Sequence, residues 1–182
     1  MIGWIVGIAI AIFIVAIILI YNGFIRVKNQ VDNAWAQIDV QLKRRADLIP
    51  NLIETVKGYA KHEKDVLTEV TNARTRLMGA EGVAEKADAN NQLSNTLKSL
   101  FAVSENYPQL RANENFLQLQ EELTGTENKV SYARQHYNDM VMTYNTKREV
   151  FPSNIIAGVF NFGPKESFSA TEAERKNVKV SF

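Results

Sequence analysis

RRADLIPNLIETVKGY, residues 44–59, is the stretch whose reading decides the fold. Ile49, Leu52, Val56 and Tyr59 step by three or four, the period of a helix with one apolar face. Pro50 sits inside that stripe. Proline removes a backbone donor, clashes with the carbonyl four residues back, here Ala46, and pushes the preceding residue away from helical geometry. Two outcomes follow. Asp47 caps a new helix with Pro50 in its first turn, where the amides need no intrahelical partner, and the chain reverses there. Otherwise the helix kinks and continues, as the in-phase stripe suggests. The first outcome gives an up-down four-helix bundle, the second one long bent hairpin in which Pro50 and Pro108 face each other. The bundle is favoured because it buries more apolar surface per residue.

The same period extends in both directions. Upstream, Phe24, Val27, Val31, Trp35, Ile38 and Leu42 share a face. Downstream come Val66, Val70, Ala73 and Leu77, then a break at Gly79 and Gly82, then Leu93, Leu97, Leu100 and Ser104. Pro108, in SENYPQL (104–110), terminates that helix. A final run repeats every seven residues through Phe116, Leu123, Val130, Tyr137, Tyr144 and Phe151, with Leu119, Ala133 and Met140 at the other seam position. Trp35, Tyr59, Tyr137 and Tyr144 are too large for a two-stranded coil and suit an interior shared by several helices. Gly125 lies off the seam, where a close helix crossing is one reason to keep it. The fold class is therefore all-α, an antiparallel helical bundle behind an N-terminal anchor.

That anchor is MIGWIVGIAIAIFIVAIILIYNGF (1–24), which holds no charged side chain. From Trp4 to Tyr21 a helix rises about 27 Å, close to the hydrocarbon thickness of a bilayer. Trp4 and Tyr21 stand where an aromatic belt would place them. No basic n-region and no small-x-small cleavage site accompany the run, so it is expected to remain as a single span. Arg26, Lys28, Lys43, Arg44 and Arg45 follow it and no basic residue precedes it. The expected topology has the N-terminus outside and the body in the cytoplasm. The divisions read from the sequence are an anchor (1–24), a bundle (25–151), and an apolar segment with a polar tail (152–182). Gly3, Gly7 and Ala11 form a column through which two anchors could pack, giving a possible homo-oligomer.

Three blocks, NAWAQIDVQLKRRADLIPNLIETVKGYAKHE (33–63), RANENFLQLQEELTGTENKVSYARQHYND (111–139) and YNTKREVFPSNIIAGVFNF (144–162), closely resemble the LemA family. The resemblance covers nearly the whole chain. It implies a bacterial membrane protein with one N-terminal span, a short external N-terminus and a helical body. It carries no catalytic residue and no reaction over to this chain.

The residues themselves offer little chemistry. The 182 residues hold 21 Lys+Arg against 20 Asp+Glu, without the concentrated basic face that nucleic acid requires. The absence of cysteine excludes a disulfide framework, thiolate zinc sites and thiol catalysis. His62 has Val66 where a zincin would place its second histidine, and neither His62 nor His136 has a glutamate three residues before it. Glu121, Glu122 and Glu127 share a helix, with Glu114 more than one turn upstream, but the Glu-x-x-His pair of a di-iron bundle is missing. No catalytic, metal or cofactor residues are therefore assigned, and no cofactor is expected. The polar set Arg45, Asp47, Asn51, Asn113, Glu114, Asn128, Arg134, Asn138 and Asn145 reads equally as a buried register-fixing network or as a solvated face. Ile155, Ile156, Val159, Phe160 and Phe162 are expected to pack back on the bundle or to meet a partner or the membrane surface. Phe168 and Phe182 fall in what reads as a loosely held tail.

The expected function is a membrane-anchored helical scaffold, in contact with lipid through its span and with unidentified proteins at the cytoplasmic face. One alternative is a carboxylate-site metal enzyme. The other is a membrane-organising protein whose segment from Lys43 to Arg45 touches anionic lipid.

Overall fold

The computed structural model describes residues 2–60 and 62–168. These form six helices: α1 (Ile2–Lys57), α2 (Lys64–Gly79), α3 (Val83–Ser104), α4 (Pro108–Arg111), α5 (Glu114–Glu149) and α6 (Ser153–Val159). The chain is all-α, as its periodicity predicts. It divides into two compact units, and α1 and α5 each contribute to both.

The first unit comprises residues 37–134 with 167 and 168. Its long helices are the second part of α1, then α2, α3 and the first part of α5, with the short α4 between the last two. Pro50 does not end α1. It lies on an exposed position, and the helix continues to Lys57. The reversal comes at Gly58 instead, where the Val56 carbonyl accepts from both Tyr59 N (3.0 Å) and Ala60 N (2.8 Å). A four-helix arrangement therefore forms without a turn at proline. Of the two expected outcomes, the continued helix is correct for Pro50 and the four-helix unit is correct for the packing.

The core of this unit is the expected stripe. Ile38, Leu42, Ile49, Leu52 and Val56 of α1 are buried with Val70, Ala73 and Leu77 of α2 and with Leu93, Leu97, Leu100 and Ser104 of α3. Leu67 takes the buried place in the first turn of α2, and Val66 is only half-buried. Tyr59 is largely exposed rather than core; it lies past the helix end, and its hydroxyl accepts from Asn113 Nδ2 at 3.0 Å. Gly82 starts α3 at φ +78, a left-handed conformation that side chains with a Cβ rarely adopt. Asn113 caps α5, its Oδ1 accepting from Phe116 N at 3.0 Å. Pro108 does not end α3, which stops at Ser104; proline instead opens the short α4, where its missing donor costs nothing. The space a side chain would occupy at Gly125 is open, so no close crossing explains that glycine. Phe168, expected in a loose tail, is buried. Phe182 lies outside the described residues.

The second unit comprises residues 2–36 and 135–166. Phe24, Val31, Tyr137, Val141 and Tyr144 are buried in it, with Trp35 half-buried against Tyr137 at a ring separation of 5.5 Å. Phe151 does not continue the seam: α5 ends at Glu149, and the phenylalanine beyond it is exposed. The apolar segment 155–162 packs back in part. Ile156 and Ala157 are buried, and Phe162 stacks on Phe24 at 4.7 Å. The N-terminal part of α1 is long and apolar enough to cross a membrane, and none of its most apolar stretch is buried by protein.

Candidate functional site

In the four-helix unit the sequence places one charged residue on the wrong face of α1. Arg45 lies between Leu42 and Ile49 on the apolar stripe, and it is only 3% exposed. Desolvation of this kind is tolerated only when the cation is paired and hydrogen-bonded. Its Nη1 donates to Asn90 Oδ1 at 2.8 Å and to Ser94 Oγ at 3.0 Å, and it forms an ion pair with Glu127. Ser94 Oγ lies 3.2 Å from both carboxylate oxygens of Glu127. Three helices thus meet at one guanidinium. Burial pushes the Arg45 pKa below its ordinary value, and the Glu127 charge draws it back up. Arg45 Nε and, one turn away, Gln41 Oε1 are buried with no hydrogen-bond partner among the described residues.

Of the polar set read from the sequence, Arg45 enters this network. Asp47, Asn51, Glu114 and Asn128 are exposed. Glu127 was read only as a possible ligand, whereas here it is the counter-charge. Asn90 and Ser94 were missed. Asn90 is in phase with Leu93 and Leu97, so a polar residue on the α3 stripe was the available signal. Because Arg45 is enclosed, it cannot be a lipid-facing member of a Lys43–Arg45 patch. Arg44 is exposed and pairs with Glu122 at 2.9 Å. An open groove of about 610 Å³ runs beside that pair, lined by Leu48, Asn51 and Glu54 of α1 and by Gln118 and Leu119 of α5.

The carboxylates do not converge. Glu114 and Glu121 are exposed, Glu122 is bound to Arg44 and Glu127 to Arg45. Among the described residues no three His, Asp or Glu side chains gather where they could hold a metal ion. His62 and His136 are both exposed. At one end of the unit, Tyr107 donates to Glu63 Oε1 at 2.8 Å, tying the loop before α4 to the start of α2. That hydrogen bond is the main cause of a raised Tyr107 pKa.

The second unit holds its own polar arrangement, built on a strap at residues 160–166. The Asn145 amide makes a reciprocal pair with Lys165: Nδ2 donates to its carbonyl at 2.9 Å, and Oδ1 accepts from its N–H at 3.0 Å. Tyr137 donates to the Glu166 carbonyl at 2.8 Å, and Arg148 Nε to the Phe162 carbonyl at 3.0 Å. Lys165 reaches Asp32 on α1 at 3.1 Å. These side chains satisfy backbone groups that have no secondary structure to pair with. Lys147 lies over the Phe24 ring, 5.4 Å from its centre, and burial together with Arg26 lowers its pKa. In these two arrangements Glu127, Arg148, Lys165, Asp32 and the Arg45 Nη1 are paired or hydrogen-bonded, and Arg45 Nε is the exception. Their geometry suits holding helices in register.

Known proteins are similar to this chain over most of its length. Protein LemA of Metamycoplasma hominis is 26% identical over 161 residues, covering 88% of this chain and 74% of its own. Magnetosome protein MamQ 2 of Paramagnetospirillum magneticum is 23% identical over 191 residues, with 91% and 70% covered. MamQ of Magnetospirillum gryphiswaldense is 22% identical over 183 residues, with 86% and 67% covered. The sequence model of the LemA family matches residues 34–182, which takes in the Arg45 network and the Asn145 strap, and the chain belongs to that family.

Proposed function

We propose that this protein is a membrane-anchored helical scaffold that binds other proteins, or further copies of itself, at the cytoplasmic face of a bacterial cell membrane. The observation that carries this reading is a single helix, α1, that is apolar and uncovered over its first part and then supplies core residues to the four-helix unit. A helix of that kind fixes a folded body to a bilayer. The buried Arg45 is held by side chains of two other helices, an arrangement that supports a structural body over a reaction centre. Relatives named for a cellular structure, the magnetosome, support the same reading. The basic residues Arg26 and Lys28, just after the span, support a cytoplasmic body.

Crosslinking in intact membranes followed by affinity isolation of the full chain tests the scaffold reading. Discrete crosslinked species, of fixed composition across preparations, are expected. Recovery of the chain as an uncrosslinked monomer, or of stoichiometric iron or manganese with the purified protein, would overturn it.

A further inference from the structure

The α6 segment is amphipathic, and only one side of it is used inside the protein. Ile156 and Ala157 are buried, whereas Ile155 is 55% exposed, Val159 70% and the preceding Phe151 79%. Large side chains adjacent in a short segment and open to water mark a contact surface. The geometry of the second unit says what meets it. In this unit α5 runs antiparallel to α1, since Tyr137 packs on Trp35 and Tyr144 on Phe24. Five residues separate Tyr144 from the end of α5, a further rise of about 7.5 Å toward the N-terminal end of α1. That brings Phe151 level with the last residues of the apolar run. Ring contacts give the same level independently: Phe160 lies 4.8 Å and Phe162 5.7 Å from Tyr21, the aromatic residue that closes the run.

We propose that Phe151, Ile155, Val159 and Phe160 insert into the interfacial zone of the same bilayer that α1 crosses, forming a second, monotopic membrane contact. Ile18 and Leu19, within one turn before Tyr21 on α1, are also exposed. The charge pattern fits. Arg26 and Lys28, exposed one to two turns beyond Tyr21, stand where anionic headgroups would lie. A second contact restricts the tilt of α1 and sets the depth at which the body sits. Interfacial segments of this kind bind through shallow burial of an apolar face.

The inference rests on α1 spanning the bilayer, and the test separates the two. The chain has no cysteine, so single substitutions carry an environment-sensitive fluorophore cleanly. Full-length Ile155→Cys, Val159→Cys, Ile10→Cys and Asn72→Cys proteins would be labelled in vesicles of phosphatidylethanolamine and phosphatidylglycerol. Nitroxides at shallow or deep acyl positions then report depth. Positions 155 and 159 should show blue-shifted emission and severalfold stronger quenching by the shallow nitroxide than position 72. Position 10 should be quenched by the deep one. If 155 and 159 are as open to aqueous iodide as 72 while 10 is quenched, the second contact is wrong and the span stands. Protection from iodide without lipid quenching would assign the surface to protein and overturn the proposal. An unquenched position 10 would remove the span and the proposal with it.

Discussion

Arg74 of α2 donates from Nε to the carbonyl of Ala46 on α1 at 2.8 Å, the acceptor that Pro50 leaves without its helical donor. Ala46 is fully buried, so its carbonyl cannot turn to water. A tertiary side chain thus replaces the hydrogen bond that proline removes, and in doing so joins α2 to α1.

The pair makes a double-mutant cycle. Arg74→Met should destabilise by about 1–3 kcal/mol, the cost of an orphaned buried acceptor. Pro50→Ala restores an N–H to Ala46 and removes a proline from a helix interior, so it should stabilise by about 1–3 kcal/mol after the entropy it returns to the unfolded chain. In the Pro50→Ala background the Arg74→Met loss should shrink to less than half. Additive effects in denaturant titrations of the two single variants and the double variant would show that the two residues do not share this acceptor.

Removing one partner of the Arg45 ion pair should cost more than removing the pair. Glu127→Gln takes the counter-charge from a buried guanidinium, and because the Glu127 side chain is itself partly open to water the cost should be about 1–3 kcal/mol. Replacing Arg45 and Glu127 together by Met and Leu should recover most of that loss or exceed the parent. Thermal melting of the three proteins checks the order, and a double variant no more stable than Glu127→Gln would refute it.

Tyr137 should behave as a core residue with a polar tip. Tyr137→Ala should cost about 3–5 kcal/mol, in the range of large aromatic truncations. Tyr137→Phe should cost about 1 kcal/mol, since it removes only the hydrogen bond to the Glu166 carbonyl. Equal losses for the two substitutions would mean that packing on Trp35 contributes nothing.

The same tyrosines predict an alkaline limit. Burial raises the pKa of Tyr137, with Asp32 adding to the shift; burial also raises that of Tyr144, against Lys165 and Arg148. A phenol whose folded pKa lies above its unfolded value binds more protons in the folded state across that interval. Its stabilisation is therefore complete below about pH 10 and is lost as pH rises through the folded value. Stability should fall above that pH, and a Tyr137→Phe, Tyr144→Phe protein should show a shallower fall. Tyrosinate absorbance of the native protein, followed against pH, should contain a late phase that the double variant lacks.

Topology is open to cysteine labelling on the cysteine-free chain. Ser153, though beyond the last long helix, is a poor probe because it is buried and donates to the Lys147 and Val150 carbonyls at 2.8 and 3.0 Å. Ser99, exposed on α3, is suitable. Ser99→Cys should resist a membrane-impermeant maleimide in intact cells and react after permeabilisation. Strong labelling in intact cells would put the body on the other side of the membrane.

By itself the sequence determined the all-α class, the apolar run before Tyr21 and most of the core, from Phe24 to Tyr144. Helical period and unbroken apolarity are local properties, and burial follows them because each helix has one face to hide. Only the tertiary structure decided what happens at Pro50. Whether a proline ends a helix depends on whether something else satisfies the carbonyl it strands, and here that partner is Arg74, separated by a turn and much of a second helix. The same holds for Arg45. Its place on the stripe was legible, but a buried cation is stable only beside its counter-charge, and Asn90, Ser94 and Glu127 come from helices that the chain order does not align in advance. Phe151 and Phe168 exchanged their expected places for the same reason. The heptad carries Phe151 into register only while α5 lasts, and Phe168, with no periodic neighbours, is enclosed by contacts that no local pattern specifies.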